Sequence, residues 1–203
     1  NAMRIAKWVA AAALVAALAP AAMAGVVRVN GDNVWSVFIN GTLMDEGDNW
    51  QAPTITSFDE GGAATIAIYV HDAEPGAAGV GGFLADVVLD DGTYITTEDP
   101  RWSCDAGLVL ADRSDGWEAS GFNDSSWSAL TMLDQFGSGV WGGGTAAIAD
   151  ALGAPESTSF WSWCGPNDVE DELYFRIVVG DDGTAVDARS KAAVTWAGIK
   201  AAK

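Results

Sequence analysis

A chain of 203 residues, 49% hydrophobic and 19% charged, with a mean hydropathy of +0.14, is too apolar to be disordered and suits one domain of ordinary size. Its 24 glycines and 10 tryptophans exclude a helical bundle and point to a turn-rich β-structure. Ten basic residues against 28 acidic ones give a net charge of −18; a surface of that sign repels phosphate backbones, which excludes nucleic acid as a partner.

The first element is an export signal. Asn1-Ala2 reads as a tag scar, Arg4 and Lys7 form a basic region, Trp8 to Ala19 an apolar one, and Ala22-Met23-Ala24 a cleavage site. The predicted cut falls after Ala24, which places the mature chain in the periplasm or outside the cell. A membrane anchor is the alternative, but the apolar run is shorter than the ~20 residues that span a bilayer. If the segment is retained, its alanines predict a helix. Without residues 1–24 the chain keeps 28 acidic and 8 basic residues, a net of −20. Twenty of the acids are Asp, and no Lys occurs between Lys7 and Lys191. Such an acidic coat predicts a monomer. It also suits one structural Ca²⁺, although no EF-hand pattern is present and no cofactor is required.

Period-2 alternation dominates residues 25–180. The runs are Ile66, Ile68, Val70; Phe83, Ala85, Val87, Leu89; and Leu173, Phe175, Ile177, Val179. Each predicts a strand with one buried face. Asn40-Gly41 between Trp35–Ile39 and Thr42–Met44 predicts a hairpin with a type I′ turn. Asp90-Asp91-Gly92 predicts a second, leading into Thr93–Thr96. Further strands are expected at Val26–Asn30, Pro53–Phe58, Ala129–Leu133 and Phe160–Trp163, and one short helix over Thr145–Leu152. Eight to ten strands make an all-β, two-sheet antiparallel sandwich, and residues 181–203 a C-terminal tail. Cys104 and Cys164, 60 residues apart, are the only cysteines. In an oxidising compartment they predict a disulfide worth roughly 3–4 kcal/mol by loop-closure entropy, the alternative being two buried thiols.

Several segments together resemble the galactose-binding-domain-like jelly rolls. They are Val34–Gly41 followed by Gly47-Asp48-Asn49-Trp50, the strand Ala64–Val70, and Pro75–Gly79 with Phe83–Val88. Asp91-Gly92-Thr93, Arg101-Trp102, Trp141-Gly142, Phe160–Trp163 and Tyr174-Phe175-Arg176 continue the likeness. Its most specific part is Gly116–Trp127, with Trp117, Phe122, Asp124 and Trp127; Asn123 stands where that family has Asp, and the cysteine pair is not a family feature. The resemblance implies a jelly roll that binds sugars or other surface ligands beside catalytic domains. The Phe122–Trp127 turn itself reads as structural, plugging one end of the sandwich and fixing the chain's entry into Ala129–Leu133.

Catalytic patterns are lacking. His71, the one histidine, sits at a strand end and reads as a loop residue rather than a general base. There is no Gly-x-Ser-x-Gly, phosphate loop or His-Glu-x-x-His. Among 28 acids some pair always lies at a glycosidase spacing, so abundance carries no signal. Sugar recognition needs a flat aromatic face with carboxylates and amides for the hydroxyls. Asp48, Asn49 and Trp50 supply that set in one loop, and Trp141 is expected as a second exposed aromatic. The chain therefore reads as a non-enzymatic module binding a glycan or cell-surface component. An adhesion or assembly module stands nearly level, and a glycan-cleaving enzyme comes last.

Overall fold

The computed structural model describes residues 24–73, 80–107, 116–142 and 157–180. Among these residues eleven strands are formed: β1 (Ala24–Asp32), β2 (Val34–Ile39), β3 (Thr42–Gly47), β4 (Thr54–Asp59), β5 (Ala64–His71), β6 (Gly82–Val88), β7 (Tyr94–Thr96), β8 (Ser103–Asp105), β9 (Thr131–Gln135), β10 (Phe160–Trp163) and β11 (Glu172–Val179). One sheet runs β4-β1-β6-β10-β9 with β7 also on β6, the other β3-β2-β5-β11-β8, and their strands pair antiparallel. This is the expected two-sheet sandwich, with one strand more than foreseen. The only helical piece among the described residues is a 3₁₀ turn at Gly139–Trp141. The expected signal segment, the Pro75–Gly79 segment, the Thr145–Leu152 helix and the tail lie outside the described residues. β1 begins at Ala24, one residue ahead of the boundary expected from the cleavage site.

The inward faces follow the alternation. Val27 and Val29, Phe83, Ala85 and Val87 from one sheet meet Trp35 and Val37, Ile66, Ile68 and Val70, and Leu173, Phe175, Ile177 and Val179 from the other. Phe83 and Phe175 stack between the sheets with ring centroids 4.1 Å apart. Asn40 and Gly41 adopt positive φ, 50° and 82°, as the β2–β3 turn requires. Gly92, with φ 85°, closes the β6–β7 hairpin. Beyond that hairpin β6 shares one edge between two strands: β7 pairs with Asp86–Val88, while β10 pairs at Phe83. Thr97 splices them, its Oγ1 donating to the Phe160 carbonyl (2.5 Å) and accepting the Phe160 N–H (3.1 Å).

The outward faces depart from expectation. Tyr69 and Tyr174, expected on solvated faces, are buried, as are Leu84 and Asp86. Two separate clusters explain this. On the five-stranded sheet, Trp117 and Trp127 cover Phe38, Ala67, Tyr69 and Tyr174. On the six-stranded sheet, Trp141 and Trp161 cover Leu84. The Gly116–Trp127 motif thus lies over a sheet face rather than plugging an end. Its anchor is Arg176 on β11, whose Nε donates to Asp124 Oδ2 (3.1 Å) and whose Nη groups donate to the Trp117 and Ala119 carbonyls. Phe122 lies 5.3 Å under the same guanidinium. Asp124 also accepts from Ser103 Oγ (3.2 Å), tying the motif to β8.

A second buried arginine does the same on the other sheet. Arg28 Nη2 meets Asp86 Oδ2 at 2.9 Å, both side chains fully buried. Tyr94, Ser157 and Ser159 hydroxyls all donate to Asp86 Oδ1, at 2.7, 3.1 and 2.5 Å. A buried ion pair is stable only when its remaining hydrogen-bonding capacity is met in this way. Burial and the Asp86 carboxylate raise the pKa of Tyr94.

The predicted disulfide joins Cys104 of β8 to Cys164 just after β10, with Cα atoms 5.8 Å apart. It clips an edge of one sheet to the other sheet. Reduction is expected to lower the unfolding free energy by roughly 3–4 kcal/mol in urea titrations; an unchanged midpoint would contradict that role. Tyr94 gives a pH test. Because its proton is held more tightly in the folded chain, the associated stability is complete below the unfolded pKa of about 10 and is lost as pH rises beyond it. Tyr94→Phe should cost about 1–2 kcal/mol at pH 7 and show a shallower loss of stability above pH ~10. Parallel alkaline slopes in the two proteins would count against it.

Candidate functional site

Both outward sheet faces are covered at their centres, which leaves the loops at the rim as candidate surfaces. The loop between β3 and β4 is one such rim. Its conformation is local: Asn49 Oδ1 accepts the Gln51 N–H (3.1 Å) and the Asn49 carbonyl accepts the Ala52 N–H (2.7 Å). Such side-chain turns are what Asn offers a short loop. Asp48, Asn49 and Gln51 are thereby exposed, with Trp50 half-buried between Asn49 and Gln51.

Trp50 is held from below. Asn30 Nδ2 donates to the Trp50 carbonyl at 2.6 Å, and the indole packs against the Leu84, Trp141 and Trp161 cluster. Asn30 belongs to β1, opposite Leu84 in the ladder with β6. Residues 91 positions apart, Trp50 and Trp141, therefore meet in one cluster.

Trp141 differs from expectation in its exposure. It is 2% exposed, not an open platform. The 3₁₀ turn Gly139–Trp141 lays its indole over Gly82, where a Cβ would stand 2.5 Å from Trp141 Cζ2 and 2.9 Å from Trp161 Cε3. Trp141 then stacks on Trp161 at 4.7 Å and 19°, and its Nε1 donates to Asp32 Oδ2 at 2.9 Å. Asp32 Oδ1 meanwhile accepts from Asn33 Nδ2 at 2.7 Å. Trp141 is the wall behind the loop, and Trp50 is the aromatic that reaches the rim.

Asn30, Asp32 and Trp161 were not singled out by sequence reasoning. A signal was present: Arg28, Asn30 and Asp32 alternate with Val27, Val29 and Gly31, which assigns three polar groups to one face of β1. Two buried atoms of this region have no protein hydrogen-bond partner, the acceptor Asn30 Oδ1 and the donor Trp161 Nε1. They flank Leu84 from the β1 and β10 sides.

His71 stays at the end of β5, its Nδ1 3.9 Å from Glu172 Oε1 and its backbone paired with Val34 of β2, whose neighbour Trp35 pairs with Gly47 at the start of the loop. Among the described residues, no three His, Cys, Asp or Glu side chains gather as a metal site. No described helix is long and apolar enough to cross a membrane.

No protein-family model matches the chain, nor does any curated protein. Among solved structures it is similar to the apo form of the Pleurotus ostreatus lectin. Identity is 14% and the TM-score 0.41, over 79% of this chain and 63% of the lectin chain. This chain thus spans less than two thirds of that protein's length.

Proposed function

We propose that the protein is an exported, non-catalytic carbohydrate-binding module of the galactose-binding-domain-like kind, taking its ligand on the loop 48–51. One observation carries the reading. Trp50 is presented at the rim by a buried Asn30 and an aromatic wall, with the exposed carboxylate of Asp48 and the amides of Asn49 and Gln51 beside it. A partly exposed indole stacks on the C–H face of a sugar, and flanking carboxylates and amides take its hydroxyls. The Cys104–Cys164 disulfide supports an oxidising compartment, outside the cell or in the periplasm.

A glycan array probed with and without calcium tests the proposal. Binding to defined oligosaccharides is expected, and Trp50→Ala should weaken it at least tenfold, about 1.4 kcal/mol or more. A requirement for calcium would add a structural cation. Silence under both conditions, or full affinity in Trp50→Ala, would overturn the assignment.

An assembly module is the second reading, favoured by Leu43, Met44 and Ile55, which are 48, 47 and 48% exposed. They lie on β3 and β4, edge strands of the two sheets that contact each other. Sedimentation velocity separates the two. A concentration-dependent dimer abolished by Leu43→Lys favours assembly, whereas a single monomeric species sets it aside.

A further inference from the structure

We propose that the exposed face formed by the edge strands β3 and β4 is covered by the chain's own C-terminal segment, with Val194–Lys200, which lies outside the described residues, running along it. This face is the one on which the assembly reading rests, and it is distinct from the loop 48–51 given to the carbohydrate.

The two lateral sides of the sandwich are finished differently. On one side Cys104 of β8 is bridged to Ser128 and disulfide-bonded to Cys164, which joins the two sheets. On the other, among the described residues, β3 pairs only with β2 and β4 only with β1. Each presents a row of backbone N–H and C=O groups with no strand beside it, next to the exposed Leu43, Met44 and Ile55. Leu43 stands opposite Phe38 in the β2–β3 ladder, so it continues toward the edge the apolar cluster that Trp117 covers.

Charge decides what can cover this face. β3 carries Asp45 and Glu46, and β4 ends in Asp59, followed by Glu60. Glu60 accepts the Asp90 N–H; burial first, and then the charges of Asp90 and Asp91, raise its pKa against the effect of that hydrogen bond. Between residues 25 and 187 the chain has 28 acids and four arginines. A second copy presenting the same edge would set these carboxylates against their like. Residues 188–203 are the opposite, with Arg189, Lys191, Lys200 and Lys203 and no acid. Among those cations stand Val194, Thr195, Trp196 and Ile199, apolar or strand-favouring side chains. A basic, apolar segment fits an acidic, apolar edge.

Place and reach agree. β11 ends at Val179 opposite Ala64 of β5, at the end of the sheet where Ile39 of β2 meets Thr42 of β3. A Cβ on Gly180 would stand 3.0 Å from the carbonyl oxygen of Gly62, in the connection from β4 to β5. The chain therefore leaves the described residues at the end where β3 begins and β4 finishes. Crossing β5 and β2 to β3 is three strand spacings, ~15 Å. The 13 residues 181–193 span up to ~45 Å when extended. Such a tether gives the segment an effective concentration on the order of millimolar at its own edge, which favours that edge over a neighbour's.

Lys191, Lys200 and Lys203 are the only lysines after Lys7, which makes zero-length carbodiimide cross-linking a direct test. Applied to the full chain as a mixture of isotopically light and heavy protein, it should join Lys200 or Lys203 to Asp45, Glu46 or Asp59 within one chain. The yield should fall several-fold in 500 mM NaCl. Hydrogen exchange gives a second readout. The amides of residues 42–47 and 54–59 should exchange on the order of fivefold faster in Trp196→Ala, and in the triple variant Lys191→Glu, Lys200→Glu, Lys203→Glu, than in the unaltered chain, with the amides of β5 unchanged as the internal reference. Lysine cross-links scattered over the surface, or edge-strand exchange identical in the three proteins, overturns the inference. Cross-links found only between light and heavy chains overturn it as well, and return the face to the assembly reading.

Discussion

Tryptophan laid against bare backbone is the interaction on which the architecture depends. Trp141 and Trp161 close over Gly82, Trp163 lies on Gly81, and Trp35 lies on Gly47. In each place a Cβ on the glycine would collide with an indole, so the high counts of Gly and Trp are two halves of one packing device. An indole of this kind removes on the order of 150–250 Å² from water. That is how strands as short as those of β7, β8 and β10 are held in a sandwich without α-helical cover among the described residues.

The same device sets the electrostatics. Covering the outward sheet faces buries two arginines, one per sheet, and a buried guanidinium demands a carboxylate and further hydrogen bonds. Asp86 and Asp124 meet that demand, and each also draws in hydroxyls from separate segments: Tyr94, Ser157 and Ser159 at one, Ser103 at the other. The arginines therefore serve as internal fasteners for the covering loops. The consequence for the exterior is a surface on which carboxylates dominate and described cations are already engaged.

Much of this was legible in the sequence, and the boundary is physical. Alternation identified the inward residues of β5, β6 and β11, because a residue packed between two sheets must be apolar whatever covers the other side. Asn40-Gly41 and Asp91-Gly92 marked their hairpins through the positive φ that those turns need, and the cysteine pair was found bridged. The outward faces were not legible. Tyr69, Tyr174, Arg176 and Asp86 have the chemistry of solvated residues, and only the three-dimensional return of Gly116–Trp127 and Ser157–Ser159 buries them. The structural character of the Trp117–Trp127 motif was readable, but its destination was not. Trp141 failed for the same reason: its glycine-rich surroundings suggest an open loop, and the vacant space above Gly82 draws it inside. At the rim, the loop position and exposure of Asp48 and Asn49 followed from residue type, whereas the contact from Asn30 belongs to strand pairing and leaves only a parity signal.

The described tryptophans divide into those that close the sheet faces and core and Trp50, half-buried at the rim, which we propose meets the ligand. Hydroxyl-radical footprinting read by mass spectrometry measures that division directly. Trp50 is expected to be oxidised well ahead of Trp117, Trp127, Trp141 and Trp161, whose side chains are buried. Oxidation of Trp117 or Trp161 as fast as Trp50 would mean that the outward faces are open, and would contradict the account.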